Sequence, residues 1–257
     1  MVEVLSLVNF NNKKRIEYLE QSFATFYKYK YDVRHVVIDG SDELGEQVEY
    51  YKKFNVEYHH QPKKTYARRL KNGLNLLKND YFLFYPDDFA WIFHFPLEDA
   101  IAECRANKIK ELKLTCRGMD WFSELNPKVV PWFQDNQVIT GEKLKLAGNL
   151  YISNTITFFR DFHEQISLAC NIINTDFLKG ILKLVPDSAY SPGKVEKWAY
   201  LILAVRPYNV AYYKMWIPAF HFIDLDIEGH QWANKFKTSL RTENFSIYNS
   251  HFNGEKG

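Results

Sequence analysis

Two adjacent carboxylates, Asp87 and Asp88, directly follow the aromatic and apolar run of residues 81–85 and Pro86. A run of this length predicts a buried strand, so the two charges come at its carboxyl end. Neighbouring carboxylates repel each other, and Mg²⁺ or Mn²⁺ would compensate them, because hard cations prefer oxygen ligands and often bridge carboxylates to phosphates. The pair therefore predicts a divalent-metal site for a phosphorylated ligand. The competing interpretation is a solvated turn, in which Asp is common.

Further polar residues support a phosphate ligand. Basic side chains that could reach a phosphate lie just before or within the first turns of a predicted helix, at Lys63, Lys64, Arg68 and Arg69. Asp39 ends another predicted strand, where its carboxylate could accept hydrogen bonds from a base or a ribose. The competing interpretations are a solvated basic face for the four cations and an ordinary turn residue for Asp39.

The elements that must position these residues alternate along the first ninety residues. Apolar runs predict strands at 4–8, 33–38, 55–59 and 81–85, and helical spacing predicts helices at 13–29, 43–53 and 66–77. Such alternation predicts a parallel sheet with helices on both faces. Ligands of these sheets bind at the carboxyl ends of the strands. Asp39 and the Asp87–Asp88 pair should therefore converge on one crevice.

The second half of the chain is less regular. Its patterns predict strands at 110–116, 151–156 and 210–215, helices at 158–170 and 195–205, and a long connection at 117–149. Residues after 218 are polar and aromatic without periodicity, which predicts an irregular lid or tail.

The bulk composition excludes several classes of protein. The 257 residues are 46% hydrophobic and 25% charged, with a net charge of +2 and no clustered basic stripe of the kind that nucleic-acid binding requires. The longest apolar runs fall far short of the ~20 residues of a membrane span, and the amino-terminal residues do not form a secretory signal. Three scattered cysteines indicate neither a zinc site nor a disulfide framework. The sequence predicts a cytoplasmic protein whose basic and aromatic segment 235–245 allows peripheral membrane contact.

The order of these motifs resembles that of GT-A fold glycosyltransferases, especially the large family-2-like group. The matching segments are 4–11, 37–42, 66–74, 81–88, 148–165 and 196–198. The resemblance implies an α/β fold with a mostly parallel, Rossmann-like central sheet in a single domain, 1–257. Within it, residues 1–90 would form the nucleotide-binding half, residues 91–217 the acceptor-side half, and residues 218–257 the tail or lid.

The resemblance also implies roles for individual residues. The opening strand and loop, with Val8, Asn9 and Phe10, would contact the donor. Asp39 would contact the nucleotide base, Lys64 and Arg68 would lie near the diphosphate, and Asp88 with Asp87 would coordinate Mn²⁺ or Mg²⁺. Some GT-A enzymes add a late histidine to the metal, and His221 is the candidate here. The competing interpretation of His221 is a packed residue among aromatic neighbours.

Two positions depart from the family pattern. Pro86 stands at the first position of the DxD motif, and Lys197 stands where the family usually has its catalytic base. Inverting transfer requires a carboxylate that accepts the proton of the acceptor hydroxyl. Glu196 is the nearest replacement, and Asp187 and Asp120 are the alternatives, unless the enzyme is retaining. Glu196 also suits a structural role, because helix N-termini favour acidic side chains.

The sequence therefore predicts a metal-dependent glycosyltransferase that moves a sugar from a nucleoside-diphosphate sugar, a UDP sugar by resemblance, to a hydroxyl of a saccharide or another acceptor. A sugar-phosphate nucleotidyltransferase shares the sheet but usually has a Gly-rich loop after the first strand, and residues 9–13 contain no glycine. A second alternative is a binding protein that kept the fold and lost the base.

Overall fold

The structure is a computed structural model that describes residues 1–9, 14–87, 89–91, 94–114, 145–148, 150–155, 166, 168–203, 208–213 and 219–221. The candidate residues Phe10, Asp88 and Asp120 lie outside these ranges, as does the segment 235–245. Elements are numbered below in chain order over the described residues.

The central strand is β1 (Val2–Val8), and all seven of its residues are buried. It pairs in parallel with β2 (Val33–Asp39) on one side and β4 (Tyr81–Phe84) on the other, while β2 pairs in parallel with β3 (Val56–His60). Three helices make the crossovers: α1 (Lys14–Tyr27), α2 (Glu46–Tyr51) and α3 (Tyr66–Leu76). Burial of β1 on both faces explains its continuous apolar run, which is typical of parallel sheets.

The rest of the sheet comes from the second half of the chain. After β5 (Phe89–Trp91) and α4 (Leu97–Ala106) come β6 (Glu111–Lys113), β7 (Lys145–Ala147), β8 (Leu150–Thr155), β9 (Asn171–Asn174), α5 (Thr175–Leu182), α6 (Pro192–Leu203), β10 (Tyr208–Tyr213) and β11 (Ala219–His221). The order in the larger sheet is β3-β2-β1-β4-β9-β6-β10-β8-β7, and β5 pairs with β11 in a separate ribbon. Only β8 and β9 run opposite to the other seven strands of the larger sheet, so the predicted mostly parallel α/β sheet is confirmed.

One predicted element of the second half, the helix at 158–170, is wrong where the structure describes it, and several elements were not predicted. Residue 166 and residues 168–170 are not helical, and the strand β9 follows them directly, where the sequence predicts the end of a helix. The elements β5, α4, β7 and α5 have no counterpart in the prediction, and β11 lies in the stretch predicted to be irregular. Among the described helices, none has the length and hydropathy that a membrane span requires.

Helix α3 covers one face of the sheet together with α5 and α6. Its first turn is capped by Thr65, whose side chain accepts a hydrogen bond from the backbone N–H of Arg68. Gly73 allows close packing on β1, because a Cβ at this position would lie 2.7 Å from Leu5 Cδ1. The N-terminus of α3 follows β3 and therefore lies at the carboxyl edge of the parallel strands.

The other face, covered by α1, holds a buried polar chain within an aromatic cluster. His35 Nε2 lies 2.8 Å from Ser6 Oγ, His35 Nδ1 lies 2.8 Å from Tyr27 Oη, and Ser6 Oγ donates to the carbonyl of Tyr85. Phe23 packs on the imidazole, with ring centroids 4.8 Å apart. Burial lowers the pKa of His35 to about 3, so the imidazole is neutral at physiological pH.

The stability of the protein should fall as the pH drops below 6.5 because of His35. An unfolded histidine has a pKa near ~6.5, so between this value and about 3 the unfolded chain binds a proton that the folded chain excludes. The free energy of unfolding should decrease by up to ~1.4 kcal/mol per pH unit in this window and be independent of His35 above it. Urea unfolding between pH 7.5 and 5 measures the slope. His35→Gln should remove most of this pH dependence of the free energy of unfolding. His94→Gln, which alters an exposed histidine, should leave it unchanged. The same pH dependence in both variants would contradict the role given to His35.

Candidate functional site

The site is built where the central parallel strands end. Val8 and Asp39 are direct neighbours in the register of β1 and β2, and Asp87 comes three residues after the end of β4. The chain moves outward from β1 to β2 and β3 and then returns to the other side of β1 as β4. This reversal of strand order creates the crevice in which open α/β sheets bind ligands.

Asp39 is completely buried, and its carboxylate accepts three hydrogen bonds. Oδ1 accepts from the backbone N–H of Ser41 at 2.8 Å and from Ser41 Oγ at 2.5 Å, and Oδ2 accepts from Tyr58 Oη at 2.8 Å. A buried carboxylate is costly unless donors replace its water. Ser41 and Tyr58 provide this replacement and fix the orientation of the carboxyl group.

Asp87 is also buried, with 3% of its surface exposed. It shares a neighbour with Asp39, namely the phenol of Tyr51, whose pKa is raised well above its ordinary value first by burial and then by the negative charges of Asp39 and Asp87. The ring centroids of Tyr51 and Tyr58 are 4.9 Å apart. The structure therefore brings Asp39 and Asp87 together beside the buried Tyr51 and the half-buried Tyr58, as the strand order predicts.

The two arginines at the start of α3 point to different places. Arg69 is buried, and its Nη1 donates to the carbonyl of Val8 at 2.8 Å. Its guanidinium lies against Gly40, so a Cβ added to Gly40 would be 2.1 Å from Arg69 Nη1. Arg68 has 59% of its side chain exposed and pairs with Asp187 at 3.1 Å. Of the two, Arg69 is the arginine at the ends of β1 and β2.

The sequence interpretation named Arg69 among four candidate cations but chose Arg68 for the ligand by resemblance, and it overlooked Tyr51 and Tyr58. A signal for Arg69 was present, because it follows Tyr66 by three residues and precedes Gly73 by four, on the helix face that is buried. A buried arginine on an apolar helix face usually has a specific partner. No comparable sequence signal distinguishes Tyr51 and Tyr58 from tyrosines of the core.

The two candidate bases that the structure describes, Asp187 and Glu196, lie in the turn before α6 and on α6 itself. Asp187, in the turn between α5 and α6, accepts hydrogen bonds from Lys71 at 2.6 Å and Arg68 at 3.1 Å, and these two cations lower its pKa. Glu196, on α6, accepts from the backbone N–H of Leu168 at 2.7 Å. Lys64 is exposed in the loop before α3.

His221 lies close in the backbone to the acidic turn. The strand β11 pairs antiparallel with β5, and His221 is directly opposite Phe89, two residues beyond Asp87. Paired residues of antiparallel strands have Cα atoms ~4.5–5.5 Å apart. No group of three His, Cys, Asp or Glu residues that could hold a metal occurs within the described ranges, which exclude Asp88. Asp87 and His221 are thus compatible with a metal site that also needs Asp88.

Replacing Gly40 with alanine should destabilise the protein by about 1–3 kcal/mol, the usual cost of overpacking. The new Cβ would overlap the Arg69 guanidinium, which would lose its bond to the Val8 carbonyl. Urea unfolding measures the change. Gly180→Ala is the matched control, because no atom lies within 4 Å of a Cβ in that position on α5. It should stabilise by about 0.5–1 kcal/mol, and a similar gain for Gly40→Ala would disprove the packing argument.

No model of a known protein family matches the chain, and no curated protein matches it by sequence. Solved structures do match. The structure of S. aureus TarS 1–349 superposes with a TM-score of 0.54 and 15% identity, covering 86% of this chain and 60% of that one. The same TarS fragment in complex with UDP also gives a TM-score of 0.54 at 15% identity, and the match covers 85% of this chain and 60% of that one.

A mannosyltransferase, PcManGT from Pyrobaculum calidifontis in complex with GDP-Man and Mn²⁺, has a TM-score of 0.47 and 13% identity, covering 82% of this chain and 56% of that one. This likeness is too small to support an inference. The present chain spans about 60% of the length of the TarS fragment. The likeness to TarS and the strand order together show that this chain has a GT-A-like fold.

Proposed function

We propose that this chain is a glycosyltransferase that moves a sugar from a UDP sugar to the hydroxyl of a saccharide or another acceptor. The observation that carries the proposal is the convergence of Asp39, Asp87 and Arg69, all buried, at the carboxyl ends of β1, β2 and β4. The TarS fragment, which shares the fold, was solved with UDP.

The nucleotide would lie across the ends of β1 and β2. Asp39 suits recognition of a base, because Ser41 and Tyr58 already hold its carboxylate in one orientation. Val8, Asn9 and Phe10 would line the same end of β1. The preorganised carboxylate could accept an N–H of the base without the cost of ordering a mobile side chain.

The diphosphate would lie at the N-terminus of α3. Helix N-termini favour anions, because their backbone N–H groups point outward and the helix dipole is positive there. Arg69 adds a fixed positive charge at this edge, while Arg68 and Lys64 are exposed cations beside it. Arg69 is better placed than Arg68, because its guanidinium lies at the ends of β1 and β2, against Val8 and Gly40, whereas the Arg68 guanidinium pairs with Asp187.

A Mn²⁺ or Mg²⁺ ion would be held by Asp88, Asp87 and His221. When bound, it would stabilise negative charge on the departing diphosphate. This proposal is supported by the burial of Asp87 and by the pairing of His221 with Phe89. Pro86 leaves the motif without its first acid, so the histidine would replace a missing carboxylate.

Of the two candidate bases, the contacts favour Glu196. The Asp187 carboxylate, which accepts from Lys71 and Arg68, is a weak base, because both cations stabilise its ionised form and lower its pKa. Glu196 accepts a hydrogen bond from one neutral backbone N–H of Leu168. Asp187 is better suited to positioning the turn between α5 and α6. Glu196 already accepts a hydrogen bond from Leu168, and Lys197 stands where the family usually has its base. A protein that binds the donor without turnover is therefore the second candidate.

Isothermal titration calorimetry with UDP and Mn²⁺ tests the donor site. We expect binding by the wild type and a loss of about tenfold or more in affinity for Asp39→Asn, because hydrogen bonds to a charged group contribute ~1.5–3 kcal/mol. Asp80→Asn is the matched control, since Asp80 lies at the opposite edge of the sheet and pairs with Arg105. Thermal unfolding verifies that each variant is folded. If UDP does not bind, or if both variants bind like the wild type, the proposed site is wrong.

Release of UDP from UDP sugars tests turnover. With Mn²⁺ present, we expect slow donor hydrolysis even without an acceptor, and Glu196→Gln should reduce the rate by about 10²–10⁴-fold, the usual contribution of a general base. The affinity for UDP should be unchanged in this variant. Donor binding without hydrolysis or transfer would favour the binding protein. Unchanged turnover in Glu196→Gln would exclude Glu196 as the base.

A further inference from the structure

The described residues expose few large hydrophobic side chains, and most of these lie in one stretch of the chain. Four of the six occur between residues 184 and 201: Leu184, Tyr190, Trp198 and Leu201, with exposed fractions of 61%, 68%, 43% and 54%. Single exposed apolar residues are normal, but a cluster marks an interaction surface.

The cluster follows one side of α6 and the turn that precedes it. Val195, Ala199 and Leu203 form the buried side of the helix. Leu201 lies on the opposite side, about 160° around the helix from Ala199 and Leu203, and Trp198 lies at the border of the exposed side, next to Val195. Lys194 and Lys197 share the exposed side, and Tyr190, Lys194, Trp198 and Leu201 follow one another at intervals of three or four residues. We call Leu184, Tyr190, Lys194, Lys197, Trp198 and Leu201 the α6 face.

The charge of the α6 face is positive. Lys183, Lys194 and Lys197 are exposed there, and Lys194 Nζ lies 5.9 Å from the centre of the Tyr190 ring. The neighbouring acids are engaged elsewhere, because Asp187 pairs with Arg68 and Lys71 and Glu196 accepts from the Leu168 N–H. The combination is therefore apolar and aromatic side chains surrounded by lysines.

The α6 face borders the candidate site. The turn between α5 and α6 is joined to the N-terminus of α3, since the N–H of Ala67 donates to the carbonyl of Ala189 at 3.0 Å and Thr65 Oγ1 donates to the carbonyl of Asp187. Lys63 and Lys64 are exposed on the adjoining loop. The basic and apolar residues thus continue to the edge of the sheet that holds Asp39 and Asp87.

We infer that the α6 face docks on a lipid bilayer that contains anionic headgroups. Tyr and Trp prefer the membrane interface, Leu side chains insert into the acyl boundary, and lysines contact headgroup phosphates. A second copy of the same face would bring like charges together, which disfavours self-association. A soluble polyanion would match the lysines but would leave the leucines in water. Docking is independent of sugar transfer and would hold the candidate site beside the membrane.

Co-sedimentation of the full chain with vesicles tests the inference. We expect binding to phosphatidylcholine vesicles that contain phosphatidylglycerol, much weaker binding to phosphatidylcholine alone, and weakening by salt. Trp198→Ser with Leu201→Ser should reduce the partition coefficient at least tenfold, and Lys194→Gln with Lys197→Gln should reduce it about fivefold per lysine. The matched control is Leu44→Ser with Lys52→Gln, because both residues are exposed away from α6, and it should bind like the wild type.

Three results would overturn docking: no binding to anionic vesicles, equal loss in the control, or vesicle binding that depends on the lysines but not on Trp198 and Leu201. Light scattering without lipid provides a further test, because a dimer that disappears in the Trp198→Ser, Leu201→Ser variant would show a protein interface instead. The affinity of this variant for UDP separates the two proposals: we expect it to be unchanged, whatever the outcome for vesicles.

Discussion

Placing two carboxylates in the interior at the end of a buried sheet is the constraint on which the site depends. Desolvation of an ionised carboxylate costs several kcal/mol unless donors or opposite charges replace its water. For Asp39 the donors are Ser41 and Tyr58, and the Arg69 guanidinium lies on the adjacent Gly40. These partners come from the turn after β2, from β3 and from α3, so the three segments must keep their relative positions for the acid to remain buried.

The strand order supplies this arrangement. Because β1, β2 and β4 are parallel neighbours, their carboxyl ends share one edge, and α3 begins at the same edge after β3. Gly73 lets α3 approach β1 closely, and the position of the helix in turn directs Arg69 to Val8 and Gly40. Packing on one face of the sheet therefore determines the electrostatics at its edge.

The sequence predicted the first half well because each element there is long enough to show a period. The strand β9 has only four residues, Asn171–Asn174, two of them polar, and β5, β7 and β11 have three residues each. Segments this short carry no distinctive period, and tertiary pairing determines their conformation. At the site, Asp39 and Asp87 were predictable from strand ends. To choose Arg69 over Arg68, the sequence would have had to show which of two adjacent positions of α3 faces the sheet.

The exposed ion pair between Arg68 and Asp187 lies where the turn before α6 is attached to α3. An exposed pair contributes little stability, about 0–1 kcal/mol, so Arg68 and Asp187 do not hold the fold together. Around them, however, Lys71 Nζ donates to the carbonyl of Val185, and the Ala67 N–H donates to that of Ala189. These bonds attach the turn with Leu184 and Tyr190 to the helix with Arg69. A surface that docks on a membrane would then have a fixed position relative to the candidate site, and the docked membrane could present an acceptor to it.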